Sequence, residues 1–237
     1  AMSYEELQPL RSTYSLYEYL KSHPQELQLI AEVKKASPSL GDINLGVDIV
    51  EQARTYERCG AAMISVLTDE IFFKGHLDYL REISSQVTIP TLNKDFIIDK
   101  KQIVRARNAG ATVILLIVAA LPEKRLQELY DFATGLGLEV LVETHNLAEL
   151  ETAHRIGARI IGVNNRNLVT FETDINTSLQ LSAHFKDDRV YVSESAIFSK
   201  EDAELVAPYF HAILVGTALM QAEDVAEKIK ELKIDKG

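Results

Sequence analysis

Residues 109–118 read Ala-Gly-Ala-Thr-Val-Ile-Leu-Leu-Ile-Val, and this form decides the fold. A glycine closes a helix-like stretch, and a β-rich apolar run follows at once. Glycine is favoured just past a helix end because it takes the left-handed conformation without a Cβ clash. The same form returns at 59–68 (Cys-Gly-Ala-Ala-Met-Ile-Ser-Val-Leu-Thr), 136–145 (Leu-Gly-Leu-Glu-Val-Leu-Val-Glu-Thr-His) and 156–165 (Ile-Gly-Ala-Arg-Ile-Ile-Gly-Val-Asn-Asn). The glycines fall at 60, 110, 137 and 157, so the first interval holds two units of about 25 residues.

Filling the intervals gives eight strands, at 27–34, 62–68, 88–96, 111–118, 139–144, 159–165, 190–195 and 212–217. Amphipathic helices are expected between and after them, at 48–59, 76–85, 99–109, 122–136, 147–156, 174–184, 199–209 and 222–234. Continuously apolar strands that alternate with helices indicate a parallel sheet covered by helices. Eight such units predict an α/β protein, a (β/α)8 TIM barrel. An open doubly wound sheet is the alternative, and the absence of Gly-x-Gly-x-x-Gly after an early strand weakens it. No Ser/Gly-rich linker or low-complexity tract divides the chain, so residues 1–237 are expected to form one barrel domain, with 1–26 a short N-terminal extension. Ala1-Met2 reads as a cloning remnant.

Composition narrows the function. The net charge of −10 argues against a nucleic-acid surface, although local cations remain compatible with an anionic ligand. The longest apolar run, 113–121, is too short to span a bilayer, and no signal-peptide pattern opens the chain. Cys59 is the single cysteine, so no internal disulfide is possible and a reducing compartment, the cytoplasm, is expected. Cys59 falls at a helix end and reads as packing.

In a barrel, chemistry gathers at the C-terminal ends of the strands. Those ends are unusually polar here. The first carries Glu32 and Lys34, two residues apart and so on one face, followed by Ser37 in a Ser-Pro-Ser turn. The others carry Thr68-Asp69-Glu70, Lys94 with Phe96, Glu143, Asn164 with Arg166, Ser193-Glu194-Ser195, and Gly216-Thr217. A salt bridge at a strand end accounts for any one pair. Three Glu, two Lys and one Arg at inward positions exceed what a structural barrel needs, because buried charge is costly unless paired or used. With carboxylates as numerous as cations, Lys34 and Lys94 should stay protonated, which suits anchoring and general-acid work rather than a Schiff base. The last two strand-to-helix loops, Ser195-Ala196-Ile197 and Gly216 to Met220, are small and hydroxyl-bearing, as phosphate-binding loops of barrels are. No His or Asp/His spacing suggests a metal site. His145, nearest a strand end, reads as incidental.

The segments IAEVKKASPS (30–39), SVLTDEIFFKG (65–75), PTLNKDFII (90–98), LVETHN (141–146), IGVNNRNL (161–168), SESAIF (193–198) and VGTALM (215–220) resemble the indole-3-glycerol phosphate synthase family of tryptophan biosynthesis. The resemblance runs from Leu16 to the last helix. It implies a lyase that converts 1-(2-carboxyphenylamino)-1-deoxyribulose 5-phosphate to indole-3-glycerol phosphate, releasing CO2 and water. It implies Lys94 as the general acid of ring closure, Glu143 as its paired acid/base, and Glu32 as an aid to proton transfer in dehydration. Lys34 is implied to bind the anthranilate carboxylate and to supply the acid in dehydration. Asn164, Arg166 and Glu194 would orient these groups and the substrate. Ser37, Ser195, Ala196, Gly216 and Thr217 would hold the phosphate, and Phe73, Phe96, Leu115 and Leu168 would enclose the aromatic ring. No cofactor or metal is implied. The partner expected is a phosphorylated small molecule, with no nucleic acid and no membrane, and the protein is expected to be a monomer.

Three departures from the family pattern carry expectations. Ala196 stands where glycine is usual, and because Ala resists positive φ the loop is expected to be re-aimed. Thr217 replaces a common Ser and keeps the hydroxyl. Ile71 replaces a common Lys, removing a cation at the mouth. The helix before the barrel, which in the family helps cover the site, is expected to be short, Ser15 to Lys21 stopped by Pro24, giving a reduced lid and weaker substrate binding. Two alternatives stand beside this reading. A phosphoribosylanthranilate isomerase-like barrel needs a Cys/Asp acid/base pair, and Cys59 is misplaced for it. A catalytically silent phosphate-binding barrel is disfavoured by intact Glu32, Lys34, Lys94 and Glu143.

Overall fold

The computed structural model describes residues 5–237; Ala1-Met2 and the start of the N-terminal extension lie outside them. Eight parallel strands close into a barrel: β1 (Gln28–Val33), β2 (Met63–Leu67), β3 (Thr91–Lys94), β4 (Val113–Ile117), β5 (Glu139–Thr144), β6 (Ile160–Asn164), β7 (Val190–Glu194) and β8 (Ala212–Val215). Each pairs with the next, and β8 returns to β1 through Ile30 opposite Leu214. This is the expected TIM barrel. The helices are α1 (Leu16–Ser22), α2 (Ile49–Arg58), α3 (Leu77–Ser84), α4 (Lys100–Asn108), α5 (Glu123–Gly135), α6 (Leu147–Arg155), α7 (Asn176–Ser182), α8 (Lys200–Val206), α9 (Thr217–Met220) and α10 (Val225–Leu232).

Local chemistry explains where these elements start and stop. Asp48, Asp99, Asn146, Ser199 and Asp224 cap helices by accepting from backbone N–H groups of the first turn. The four glycines of the recurring form lie just past α2, α4, α5 and α6 with φ of 86°, 103°, 82° and 80°. β3 is shorter than its apolar run suggests, for a specific reason. The N–H groups of Thr88 and Ile89 donate to Glu57 Oε1, and the carbonyls of Val87 and Ile89 accept from Arg11 Nη2. Pro90 has no N–H, so the ladder begins at Thr91.

Strand parity sorts the core. Outward residues such as Leu29, Ile64, Leu116 and Ile213 pack beneath the helices. Inward apolar residues, among them Ile30, Met63, Leu92, Leu115, Leu141 and Leu214, fill the barrel together with Leu16, Tyr17 and Leu20 of α1. Here the structure corrects the expected lid. α1 plugs the end where the strands begin. Glu139, first residue of β5, accepts from Ser15 Oγ (2.8 Å) and from the N–H of Leu16 (2.7 Å) and Tyr17 (3.0 Å). A carboxylate at the helix N-terminus satisfies unpaired N–H groups and favours the dipole. Tyr14 Oη reaches the carbonyl of Ala62 at 2.5 Å, again at a strand start. The helix therefore stabilises the far end of the barrel, opposite the rim that carries Glu32, Lys94 and Glu143.

Candidate active site

On most strands the inward row turns polar toward the C-terminal end, whereas β4 and β8 stay apolar there with Ile117 and Leu214. That last layer brings together Glu32 of β1, Ser65 of β2, Lys94 of β3, Glu143 of β5, Asn164 of β6 and Glu194 of β7, with Lys34 just beyond β1. Lys94 Nζ is 2.9 Å from Glu194 Oε2 and 3.5 Å from Glu32 Oε2. Lys34 Nζ lies 3.6 Å from Glu32 Oε1, and Ser65 Oγ donates to Glu32 Oε2 at 2.9 Å. Asn164 Nδ2 donates to Glu143 Oε1 at 3.1 Å, and Asn164 Oδ1 accepts from the N–H of Arg166 at 2.9 Å. Glu32, Glu143 and Glu194 are at most 4% exposed. Buried charge at this density is tolerated because each group meets an opposite charge and hydrogen bonds.

The charges tune one another. Burial pushes Lys94 toward neutrality, but Glu194, Glu32 and Glu143 overcome it and raise its pKa well above the usual lysine value. Lys34 moves the other way. Burial lowers it, Glu32 only partly compensates, and Lys94 and Arg166 push it further down. Burial would raise Glu32, yet Lys94, Lys34 and Ser65 bring it below the ordinary carboxylate range. Glu143 is likewise raised by burial and brought down further by His145, Lys94 and Asn164. Glu194 stays raised, because burial and the neighbouring Glu143 outweigh Lys94. Two lysines shifted in opposite directions and carboxylates shifted apart in one cluster mark it as a candidate site for acid and base work.

Two glycines make room for this layer. A Cβ at Gly162 would overlap the Glu194 carboxylate. A Cβ at Gly216 would lie 2.8 Å from Glu32 Oε1 and 3.2 Å from Lys34 Nζ. Gly216 thus joins the β8 loop to the β1 charges, and Thr217 begins α9 directly after it. Ser195 and Ala196 both adopt positive φ, 64° and 62°. Ala196 takes the left-handed conformation that glycine would adopt without strain. Asn165 holds it, donating from Nδ2 to Ser193 Oγ and to the Ser195 carbonyl, both at 3.1 Å, while its Oδ1 accepts from Ser178 N. Ser37 is buried in a small hairpin, Ala36–Ser37 against Gly41–Asp42, and its Oγ accepts from Leu40 N.

The apolar residues divide. Phe73 and Phe96 face one another with centroids 6.4 Å apart, and Phe72 meets Phe96 edge-on at 6.2 Å. Leu168 is exposed at the rim, whereas Leu115 is only 2% exposed within the barrel filling. Ile71, at 82% exposure, lies in solvent. Arg166 Nη1 donates to the Phe171 carbonyl at 2.7 Å, which shapes the β6 loop.

His145 is not incidental. Its Nε2 lies 3.2 Å from Glu143 Oε1 and its Nδ1 3.0 Å from Glu149 Oε2. The signal available in sequence was the spacing: residue 145 shares a strand face with 143. Ser65 and Asn165 were missed because serine and asparagine at strand ends are common, and only the cross-strand register of Glu32 with Ser65 and the β6–β7 loop contacts make them specific. Among the described residues no group of three or more His, Cys, Asp and Glu is arranged to hold a metal ion. Among them, too, no helix is long and apolar enough to cross a membrane.

A closed (β/α)8 barrel with lysines and carboxylates interleaved around its C-terminal rim defines an enzyme of general acid/base chemistry. More narrowly, the chain belongs to the indole-3-glycerol phosphate synthase family, whose model matches residues 2–232. It is 98% identical over 237 residues to the indole-3-glycerol phosphate synthase of Streptococcus sanguinis (strain SK36), covering 100% of this chain and 93% of that protein. It is 97% identical over 237 residues to the protein of that name from Streptococcus gordonii (strain Challis), with the same coverage. Among solved structures it is similar to a 3-hexulose-6-phosphate synthase, with a TM-score of 0.67 at 15% identity over 87% of this chain and 98% of that one. That likeness speaks for the fold alone.

Proposed function

We propose that the chain, as one barrel unit, catalyses ring closure of 1-(2-carboxyphenylamino)-1-deoxyribulose 5-phosphate to indole-3-glycerol phosphate, as a monomeric cytoplasmic enzyme of tryptophan biosynthesis. The observation that carries this reading is Lys94, held between Glu194 at 2.9 Å and Glu32 at 3.5 Å with Lys34 beside Glu32. Attack of the aromatic carbon on the ketone develops negative charge on oxygen. Lys94, fixed as a cation, meets that charge and delivers its proton as the oxygen becomes basic. Carbon dioxide then leaves from the ring carbon, and its bonding pair restores the aromatic system. Dehydration finally expels the hydroxyl as water. Lys34, whose proton is held less tightly, suits the donor in that step, and Glu32 and Glu143 are the acceptors for the proton lost.

The other residues fit positioning. Arg166 and Lys34 face the anthranilate carboxylate, and Asn164 and Glu194 orient Glu143 and Lys94. Phe73, Phe96 and Leu168 flank the ring at the rim, with Leu115 as floor. Ser195, Ala196, Gly216 and Thr217, with Ser37 from the β1 loop, hold the phosphate. Its charge supplies remote binding energy that positions the reacting end. The test is to add the carboxyphenylamino-deoxyribulose phosphate and follow indole fluorescence. Growth of the indole signal with release of one CO2 per product is expected; a substrate bound but unchanged would overturn the reading in favour of a silent barrel.

A further inference from the structure

The Glu143–His145–Glu149 chain is built from both sides. His145 lies one residue beyond β5, on the face of Glu143, and its side chain is 12% exposed. Glu149, in the first turn of α6, grips it twice, accepting from the His145 backbone N–H at 2.8 Å and facing Nδ1 at 3.0 Å. Glu149 is itself fixed: its N–H donates to Asn146 Oδ1 at 3.0 Å, and Asn146 Nδ2 donates to its Oε1 at 3.1 Å. The ring therefore has little freedom to turn. Its second nitrogen is directed at Glu143 Oε1, the same oxygen that accepts from Asn164. At 3.2 Å the contact is an ion pair whenever the ring is protonated.

An imidazole with a carboxylate oxygen against each nitrogen has no acceptor to offer either, because ionised carboxylates only accept. A lone pair on either nitrogen would oppose an oxygen lone pair at about hydrogen-bond distance. A doubly protonated ring is the state that both carboxylates favour. Burial works against that charge, but Glu143 and Glu149 outweigh it and push the ring up to about 10. The groups facing Glu143 are Lys94 from β3, Asn164 from β6, Glu194 from β7 and His145. Without the His145 charge, Glu143 and Glu194 would share Lys94, which Glu32 also claims.

We propose that His145, locked by Glu149, is the positioning residue that keeps Glu143 ionised, and so available as a proton acceptor at the rim. This rests on the reading of Glu143 as an acid/base group given above. His145 touches no reacting atom; it acts through Glu143.

Two variants test it. His145→Gln removes the charge, and Glu149→Gln leaves the ring in place but withdraws the partner that holds its second proton. The Glu143 carboxyl is followed by carbon NMR and the His145 ring by nitrogen NMR as pH is varied. In the parent, His145 should keep both protons through pH 8. In Glu149→Gln it should lose one within the ordinary histidine range. In both variants the Glu143 titration should move up by about one pH unit or more. The acid limb of kcat should move with it: on acidification His145→Gln is expected to lose kcat at a higher pH than the parent, by about as much as the Glu143 titration has moved, and to match the parent above that limb, with KM little changed. A uniform fall in kcat at every pH, or a Glu143 titration unmoved in both variants, would overturn the proposal. If the parent forms no indole product while the Glu143 titration still moves, the proposed reaction fails and the charge arrangement stands. If His145→Gln fails to fold, the Glu149→Gln titration alone decides.

Discussion

Lys94 Nζ and Glu194 Oε2 meet at 2.9 Å although their strands, β3 and β7, stand four apart in the eight-stranded ring. The pair therefore spans the mouth of the barrel, and Glu32 of β1 joins it from the side at 3.5 Å. Removing either partner leaves a buried charge with weaker compensation.

Glu194→Gln separates the catalytic from the stabilising side of that pair. Glu194 has a raised folded-state pKa, so the folded state holds an extra proton and loses stability as pH rises from the ordinary 4.5 through the folded value. The variant lacks this penalty. Its urea midpoint, relative to the parent, should improve from pH 5 to about pH 7 and level off above that. Its kcat should nevertheless fall by about tenfold or more, because Lys94 loses its closest partner. A stability difference independent of pH would contradict the assignment.

Gly216→Ala should damage activity far more than stability. The added Cβ meets Glu32 Oε1 at 2.8 Å and Lys34 Nζ at 3.2 Å, so both charges must shift. Misplacement by about 1 Å is enough to lower turnover roughly 100-fold. Steady-state kinetics beside a thermal melt would check this; an unchanged kcat would mean that Lys34 and Glu32 have more room than the geometry allows.

Ala196→Gly should be tolerated or stabilising, against the usual trend. At φ 62° the alanine carries left-handed strain of about 1 kcal/mol, which glycine relieves, offset in part by the added freedom of the unfolded chain. Calorimetry should give a Tm equal to or above the parent's, with KM within about twofold. A clear loss of Tm would show that no such strain is present.

Glu139→Ala addresses the far end. It removes the acceptor of three contacts at the start of α1 and loosens Leu16 and Leu20 from the barrel filling. A loss of about 2–3 kcal/mol in denaturant unfolding is expected, with kcat near the parent value. A selective loss of substrate affinity would instead mean that α1 communicates with the rim.

These cases mark how far the sequence could be read. The eight strands and the helices that alternate with them were legible because most units carry local punctuation, a capping Asp, Asn or Ser at five helices and a glycine just past four of them, beside an apolar run. Glu32, Lys34, Lys94, Glu143 and Glu194 were legible as a set because charge at inward strand ends has no structural excuse. The limits of β3 were not, since they depend on Glu57 and Arg11, distant in sequence, taking the backbone groups of residues 87–89. Nor was the place of α1, whose apolar face fits a lid as well as a plug until Glu139 caps it. His145 shows the same limit at the site. Its spacing from Glu143 was visible, but its partner Glu149 comes into reach only through the turn at Asn146 that starts α6.

The most direct test is the turnover of Lys94→Ala, measured by indole fluorescence under saturating substrate. If Lys94 meets the oxyanion and supplies its proton, kcat should fall by at least about 1,000-fold while the variant remains folded and still binds substrate. A Lys94→Ala protein turning over at the parent rate would contradict the account.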